Sequence, residues 1–71
     1  MPKLRVLSGR ELCHLLEQNG FQSIRQRGSH VIMRKDRISF PVPLHRTIDR
    51  GTLAAIVRQS GLSRSIFETD S

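Results

Sequence analysis

Tryptophan and tyrosine are absent from this 71-residue chain, and three phenylalanines are its only aromatic rings. A platform of aromatic side chains for stacking bases is therefore not expected, and the core must be built mainly from Leu, Ile and Val. Cysteine occurs once, as Cys13. No internal disulfide can form, a reducing compartment is the simpler expectation, and the position of Cys13 within a helical apolar pattern marks a core residue rather than a nucleophile. His14, His30 and His45 together with that one Cys lack the short paired spacing of a zinc site, and no carboxylate cluster suggests magnesium. Neither a metal nor an organic cofactor is called for. No apolar run is long enough to span a membrane, and Met1 to Leu7 lacks the apolar stretch of a signal peptide, so a cytoplasmic protein is expected.

Acidic residues are also scarce. Six Asp and Glu face twelve Lys and Arg, giving a formal charge of +6, and this balance favours a polyanionic partner, nucleic acid first. The cations are mostly Arg and are spread from Arg5 to Arg64, unlike a disordered basic tail. Arg suits phosphate because its planar fork can donate two hydrogen bonds at once. The competing reading is a solvated basic surface that serves solubility. A chain this short has room for one compact unit, so residues 1–71 are read as a single domain, with 1–7 as an N-terminal segment and 68–71 as a frayed tail.

Ser8-Gly9-Arg10-Glu11 is a capping box, after which Leu12, Leu15 and Leu16 form one apolar stripe. Gly20 is the left-handed stop, with Phe21 folding back onto the last turn, so a helix is predicted over Gly9 to Asn19. Between Phe21 and Val42 the period becomes two, predicting a three-stranded antiparallel meander. A turn at Lys35-Asp36 would pair Met33 with Ile38 and Val31 with Phe40, and a turn at Arg27-Gly28 would set Ile24 opposite Val31. His30 then lies on the other face, with Arg25 across from it and Ser39 and Pro41 nearby. Pro41 and Pro43 make the third strand an edge that ends there. After a loop over Leu44 to Ile48, Asp49 can cap a second helix carrying Leu53, Ile56 and Val57 and closed by Gly61, and Ser63 can cap a further turn bearing Ile66 and Phe67.

The predicted fold is α+β in the order α-β-β-β-α, with both helices on one sheet face, as in double-stranded-RNA-binding domains. Leu12, Leu16, Ile24, Val31, Met33, Phe40, Leu53, Ile56 and Val57 are its predicted core. Topology of this kind does not by itself define a function.

Chemistry concentrates at Arg27-Gly28-Ser29-His30, where a His at the start of a strand is flanked by a phosphate-binding Arg and a permissive Gly. RNA carries its own nucleophile. A His that removes the proton from a ribose 2′-OH lets that oxygen attack the adjacent phosphate, a contribution of roughly 10²- to 10⁴-fold. Arg25, Arg27 or Arg34 could stabilise the charge growing on the phosphate oxygens. The leaving 5′ oxygen needs a proton, and His45, which follows the strand beside His30, is the best-placed donor. From spacing alone, a lone strand histidine is more often packed or solvent-facing than catalytic, and His14 reads as a surface or boundary residue.

The residues also resemble a known family. Ser8-Gly9-Arg10-Glu11-Leu12, Asn19-Gly20-Phe21, Arg25-Gln26-Arg27-Gly28-Ser29-His30, Pro41-Val42-Pro43-Leu44-His45, Gly51-Thr52-Leu53 and Arg58-Gln59-Ser60-Gly61-Leu62-Ser63 together look like HicA, the toxin of bacterial and archaeal HicAB toxin–antitoxin pairs. Each motif is weak alone, but their order and spacing run along nearly the whole chain. The resemblance implies a double-stranded-RNA-binding-like fold, mRNA cleavage independent of translation, and neutralisation by a HicB antitoxin that covers the active site. It maps the family's catalytic His onto His30 in the Gly-Ser-His triplet; from the residues themselves, Arg25, Arg27, Gly28, Ser29 and Arg34 are read as the RNA-binding surroundings. Before the second helix, this chain has Asp49-Arg50 where many relatives carry Lys-Pro.

Two other function classes compete with a metal-independent endoribonuclease. One is a non-catalytic double-stranded-RNA-binding module, which would normally place a basic cluster at the start of the last helix, where Arg50 stands alone in the sequence. The other is a protein-interaction domain whose charge meets an acidic partner.

Overall fold

A computed structural model describes residues 2–69. Along the chain these form β1 (Lys3–Leu4), α1 (Gly9–Gln18), β2 (Gln22–Arg27), β3 (His30–Lys35), β4 (Ile38–Pro43), α2 (Arg50–Ser60), a 3₁₀ turn (Arg64–Phe67) and β5 (Glu68–Thr69). The predicted α-β-β-β-α order is present, framed by a small ribbon in which β1 pairs with β5.

Helix α1 begins where the capping box requires. The Glu11 N–H donates to Ser8 Oγ at 3.1 Å, and the Ser8 N–H donates to Glu11 Oε1 at 2.8 Å. The backbone N–H of Ser8 is the main reason the Glu11 carboxyl sits below its ordinary range. Asn19 and Gly20, with φ of +97° at the glycine, end the helix, and the Phe21 N–H returns to Leu16 O at 3.0 Å. Leu12 and Leu16 are fully buried, and the Phe21 ring meets Phe40 with centroids 5.3 Å apart.

The sheet order is β2-β3-β4, all antiparallel, with both helices packed on one face. Its registers differ from the predicted ones. The β3–β4 turn is Asp36-Arg37, one residue later than expected, so Met33 faces Phe40 and Val31 faces Val42. Asp36 supplies the left-handed conformation, at φ +54°, which a short polar side chain tolerates. This moves every pair by two residues, and because the side-chain period is also two, Val31, Met33, Ile38 and Phe40 keep the face assigned to them.

The β2–β3 turn is Gly28-Ser29, so Arg27 pairs with His30 and Gln26 with Val31. That register would set Ile24 against Met33. A bulge between Ser23 and Arg25 adds one residue, leaves Ser23 opposite Met33, and turns Ile24 outward with 48% of its surface exposed. Ile24 is therefore not a core residue. The other eight predicted core positions are buried, joined by Leu7, Phe21, Val42, Ile48 and Phe67.

Asp49 caps α2 through Oδ2 to the Thr52 N–H at 3.0 Å and Oδ1 to Thr52 Oγ1 at 2.7 Å, and Gly61 closes it at φ +70°. The tail expected to fray is partly tied down. Glu68–Thr69 pair with Leu4 and Lys3, and Arg5 donates its backbone N–H to Phe67 O at 2.8 Å and Nη2 to Ile66 O at 2.9 Å. Residues 70–71 of that predicted tail lie outside the described residues.

Candidate functional site

The helices leave the second face of the sheet open, and the registers arrange it in three rows. The first row is Arg27, His30 and Pro43; the second is Arg25, Ile32 and Pro41; the third is Gln22, Arg34 and Ser39. Rows lie about 6.6 Å apart, from the rise of two strand residues, and neighbouring strands about 4.8 Å apart. The β2 side of this face carries two arginines, whereas the outward positions of β4 are two prolines and a serine. The open face is therefore cationic along β2 and largely apolar along β4.

His30 is exposed at the first position of β3, and its direct cross-strand neighbour is Arg27. Arg25, expected across from His30, stands one row further along, because the turn falls one residue later than predicted. Pro43, rather than Ser39 or Pro41, is the neighbour of His30 on β4. Arg34 occupies the third row, about 13 Å along the strand from His30, and its Nε donates to Asp36 O at 3.0 Å. Gly28, at φ +59°, has nothing within 4 Å of the position a Cβ would take, so its role is conformational and leaves the turn open beside His30.

His45 lies on the loop just beyond the first row. Three backbone bonds hold that loop: the Leu44 N–H donates to Ser29 O at 2.6 Å, the Gly9 N–H donates to His45 O at 2.9 Å, and the Ile48 N–H donates to Leu7 O at 2.8 Å. Helix α1 thus begins against the segment that leads out of His30's row. The approach is so close that a Cβ on Gly9 would collide with Pro43 O and come within 2.7 Å of Leu44 Cα. Nothing in the sequence spacing announces this contact.

Among the described residues the only ion pair joins Arg64 and Glu68, at 2.8 Å, so Arg25, Arg27 and Arg34 have no carboxylate partner there. Their charge is free for an external anion. No group of three or more His, Cys, Asp or Glu capable of holding a metal occurs among the described residues. His14 is exposed on α1, lining a groove with Cys13, Glu17 and Gln26. Cys13 is half-buried against the core, and burial is the main cause pushing its thiol up, which disfavours the reactive thiolate.

A second basic group escaped the sequence reading. Lys3 and Arg64, brought in by the β1–β5 ribbon and the 3₁₀ turn, line one hollow of about 300 Å³ with Arg50 at the start of α2. Their separation of tens of residues carries no spacing signal.

The fold and its open basic face define a small α+β domain of the double-stranded-RNA-binding-like class. Within that class the chain belongs to the HicA family, since the family model described as the HicA toxin of bacterial toxin–antitoxin systems matches residues 9–62. The match runs from the first residue of α1 to just past α2 and contains all three rows of the open face. No curated protein and no solved structure matches the chain. Family membership makes the protein the toxin of a toxin–antitoxin pair, with an antitoxin as its partner. No helix among the described residues is long and apolar enough to cross a membrane.

Proposed function

We propose that this toxin is a metal-independent endoribonuclease that cleaves mRNA in the cytoplasm, with His30 as general base. The observation that carries the reading is the first row of the open face, in which an exposed histidine stands directly beside an arginine with no carboxylate partner among the described residues. His30 takes the proton of a ribose 2′-OH, the freed oxygen attacks the adjacent phosphorus, and the bond from phosphorus to the 5′ oxygen breaks. The leaving oxygen takes a proton from His45 or from water, leaving a 2′,3′-cyclic phosphate on one fragment and a 5′-OH on the other. Arg27, with Arg25 in the next row, stabilises charge on the phosphate oxygens, and the open Gly28-Ser29 turn lets the backbone approach. Phosphates bound by Arg25, Arg27 and Arg34 explain the basic face without aromatic platforms. A HicB-like antitoxin that covers His30 and these arginines with acidic groups would silence the enzyme sterically.

The test is cleavage of single-stranded RNA and DNA in excess EDTA. RNA should be cut to cyclic-phosphate ends and DNA spared, because DNA lacks the 2′-OH. His30→Ala should abolish cleavage and growth inhibition while the protein stays folded. His45→Ala should slow cleavage if His45 is the proton donor, and a null effect assigns that step to water. Full cleavage by a nuclease-free His30→Ala preparation overturns the assignment, and strict dependence on added magnesium overturns the mechanism.

A second reading, a double-stranded-RNA-binding module without catalysis, is favoured by one observation: Lys3 and Arg64 join Arg50 at the start of α2, where such modules place cations. Glu68, paired to Arg64 at 2.8 Å, weakens its pull on phosphate. Tight duplex binding with no cleavage of any RNA would decide for it.

A further inference from the structure

The bulge in β2 has created a hollow at the end of the open face opposite to His30. Ile24 is half exposed, unlike every other Val, Ile or Met of the three-stranded sheet, because the extra residue turns it out of the core. It lines a hollow of about 460 Å³ with Gln22, Arg34, Gly20, Lys35 and Asp36. Bulges of this kind commonly re-aim side chains beside functional sites. Here the result is an apolar wall, a side-chain amide and a guanidinium in one place, on the same face as His30.

We propose that this hollow is a subsite for a flanking nucleotide of a single-stranded RNA, about two nucleotides from the bond beside His30; this rests on the RNA-cleaving reading above. The reach follows from the strand. His30 and Arg34 are two rows apart, about 13 Å, and one row is close to the phosphate spacing of an extended RNA strand. Arg34 receives the phosphate, for although its Nε is held by Asp36 O, its terminal nitrogens have no hydrogen-bond partner among the described residues. Ile24 packs against the base and Gln22 offers both a donor and an acceptor to its edge. Lys35, which also lines the hollow, donates to Asn19 O at 3.2 Å and lies over the Phe21 ring, so its ammonium is already engaged. The Asp36 carboxylate disfavours phosphate at the turn end and leaves the base, with its exocyclic amine where present, facing that side.

The arrangement is one-sided. His30 stands in the row next to the Gly28-Ser29 turn, so two further rows lie on one side of it and only the turn and the His45 loop on the other. A single strand extended over the face therefore gains contacts from nucleotides on one side of the cut only. A duplex does not fit this pattern, since the outward positions of β4 carry two prolines and a serine in place of cations for a second backbone.

The experiment titrates uncleavable 2′-O-methyl oligonucleotides of two, four and six residues onto the full chain, following methyl, side-chain amide and backbone amide NMR signals, the last reporting on His30 and Arg27. The Ile24 methyl and Gln22 amide signals should move with the four- and six-residue strands but not with the two-residue one, while His30 and Arg27 move with all three. Affinity should rise about tenfold from two to four residues, and Ile24→Ser or Gln22→Ala should reduce that rise to less than about threefold. Movement of His30 and Arg27 with Ile24 unmoved at every length overturns the subsite and leaves the RNA-cleaving reading standing. No movement of either group overturns both. An Ile24→Ser variant that binds RNA normally but loses affinity for the antitoxin assigns the hollow to the protein partner and also overturns the proposal.

Discussion

Replacing Gly9 with alanine should unfold this protein at a lower temperature, even though the substitution exchanges a poor helix former for the best one. Gly9 is the first residue of α1 and has ordinary helical backbone, so no left-handed conformation is at stake. The cost is steric. A Cβ there collides with Pro43 O and lies 2.7 Å from Leu44 Cα and 2.9 Å from Pro43 C, all of them backbone atoms that cannot rotate away. Relieving the overlap requires the helix and the end of β4 to part, which strains the bond from the Gly9 N–H to His45 O. Overpacking costs about 1–3 kcal/mol, and a backbone obstacle belongs at the upper end. The gain in helix propensity is at most about 1 kcal/mol. The net loss is about 2 kcal/mol, and for a domain of this size it lowers Tm by about 10 °C. Gly51→Ala is the control: it lies in the first turn of α2, where a Cβ meets only Asp49 Oδ2 at 3.5 Å, an ordinary contact. Thermal unfolding followed by circular dichroism compares the two. A Gly9→Ala midpoint equal to or above that of Gly51→Ala would refute the steric argument. Because the strained segment carries His45 and adjoins His30's row, the Gly9 variant should also be less toxic at temperatures where it remains folded.

Three further outcomes are expected. Met33 is fully buried, so Met33→Ala should cost about 2–5 kcal/mol, whereas Ile24→Ala should change stability by no more than about 0.5 kcal/mol; equal losses in urea unfolding would show that the bulge is misplaced. Glu11 and Asp49 both lie below their ordinary carboxyl values, the first mainly through the Ser8 N–H and the second mainly through the Thr52 hydroxyl. Depressed folded values mean stability that is fully present above the unfolded values, about pH 4, and lost as pH falls through the folded ones. Urea midpoints should therefore drop below about pH 4, less steeply in Asp49→Asn, and an unchanged slope in that variant would remove Asp49 from the account. Antitoxin association should be faster at low salt if its acidic groups meet Arg25, Arg27 and Arg34, and a rate constant flat from about 50 to about 500 mM salt would exclude such steering.

The sequence by itself determined the features that arise between near neighbours. Ser8 with Glu11 and Gly20 delimit α1, and Asp49 with Gly61 delimit α2, because each cap is a hydrogen bond or a φ angle settled within a few residues. Alternation along β3 places Val31 and Met33 inward and His30 outward, and a shift of either register by two residues leaves those faces unchanged. The tertiary structure alone decided which residues meet across the sheet. The turns fall at Gly28-Ser29 and Asp36-Arg37, so Arg27 rather than Arg25 faces His30, and the bulge expels Ile24 from the core. It also decided the contact of Gly9 with Pro43 and Leu44, and the gathering of Lys3, Arg50 and Arg64 around one hollow. Pairing and close approach depend on how whole elements pack together, and residues 34 or 47 positions apart carry no local pattern that records their meeting.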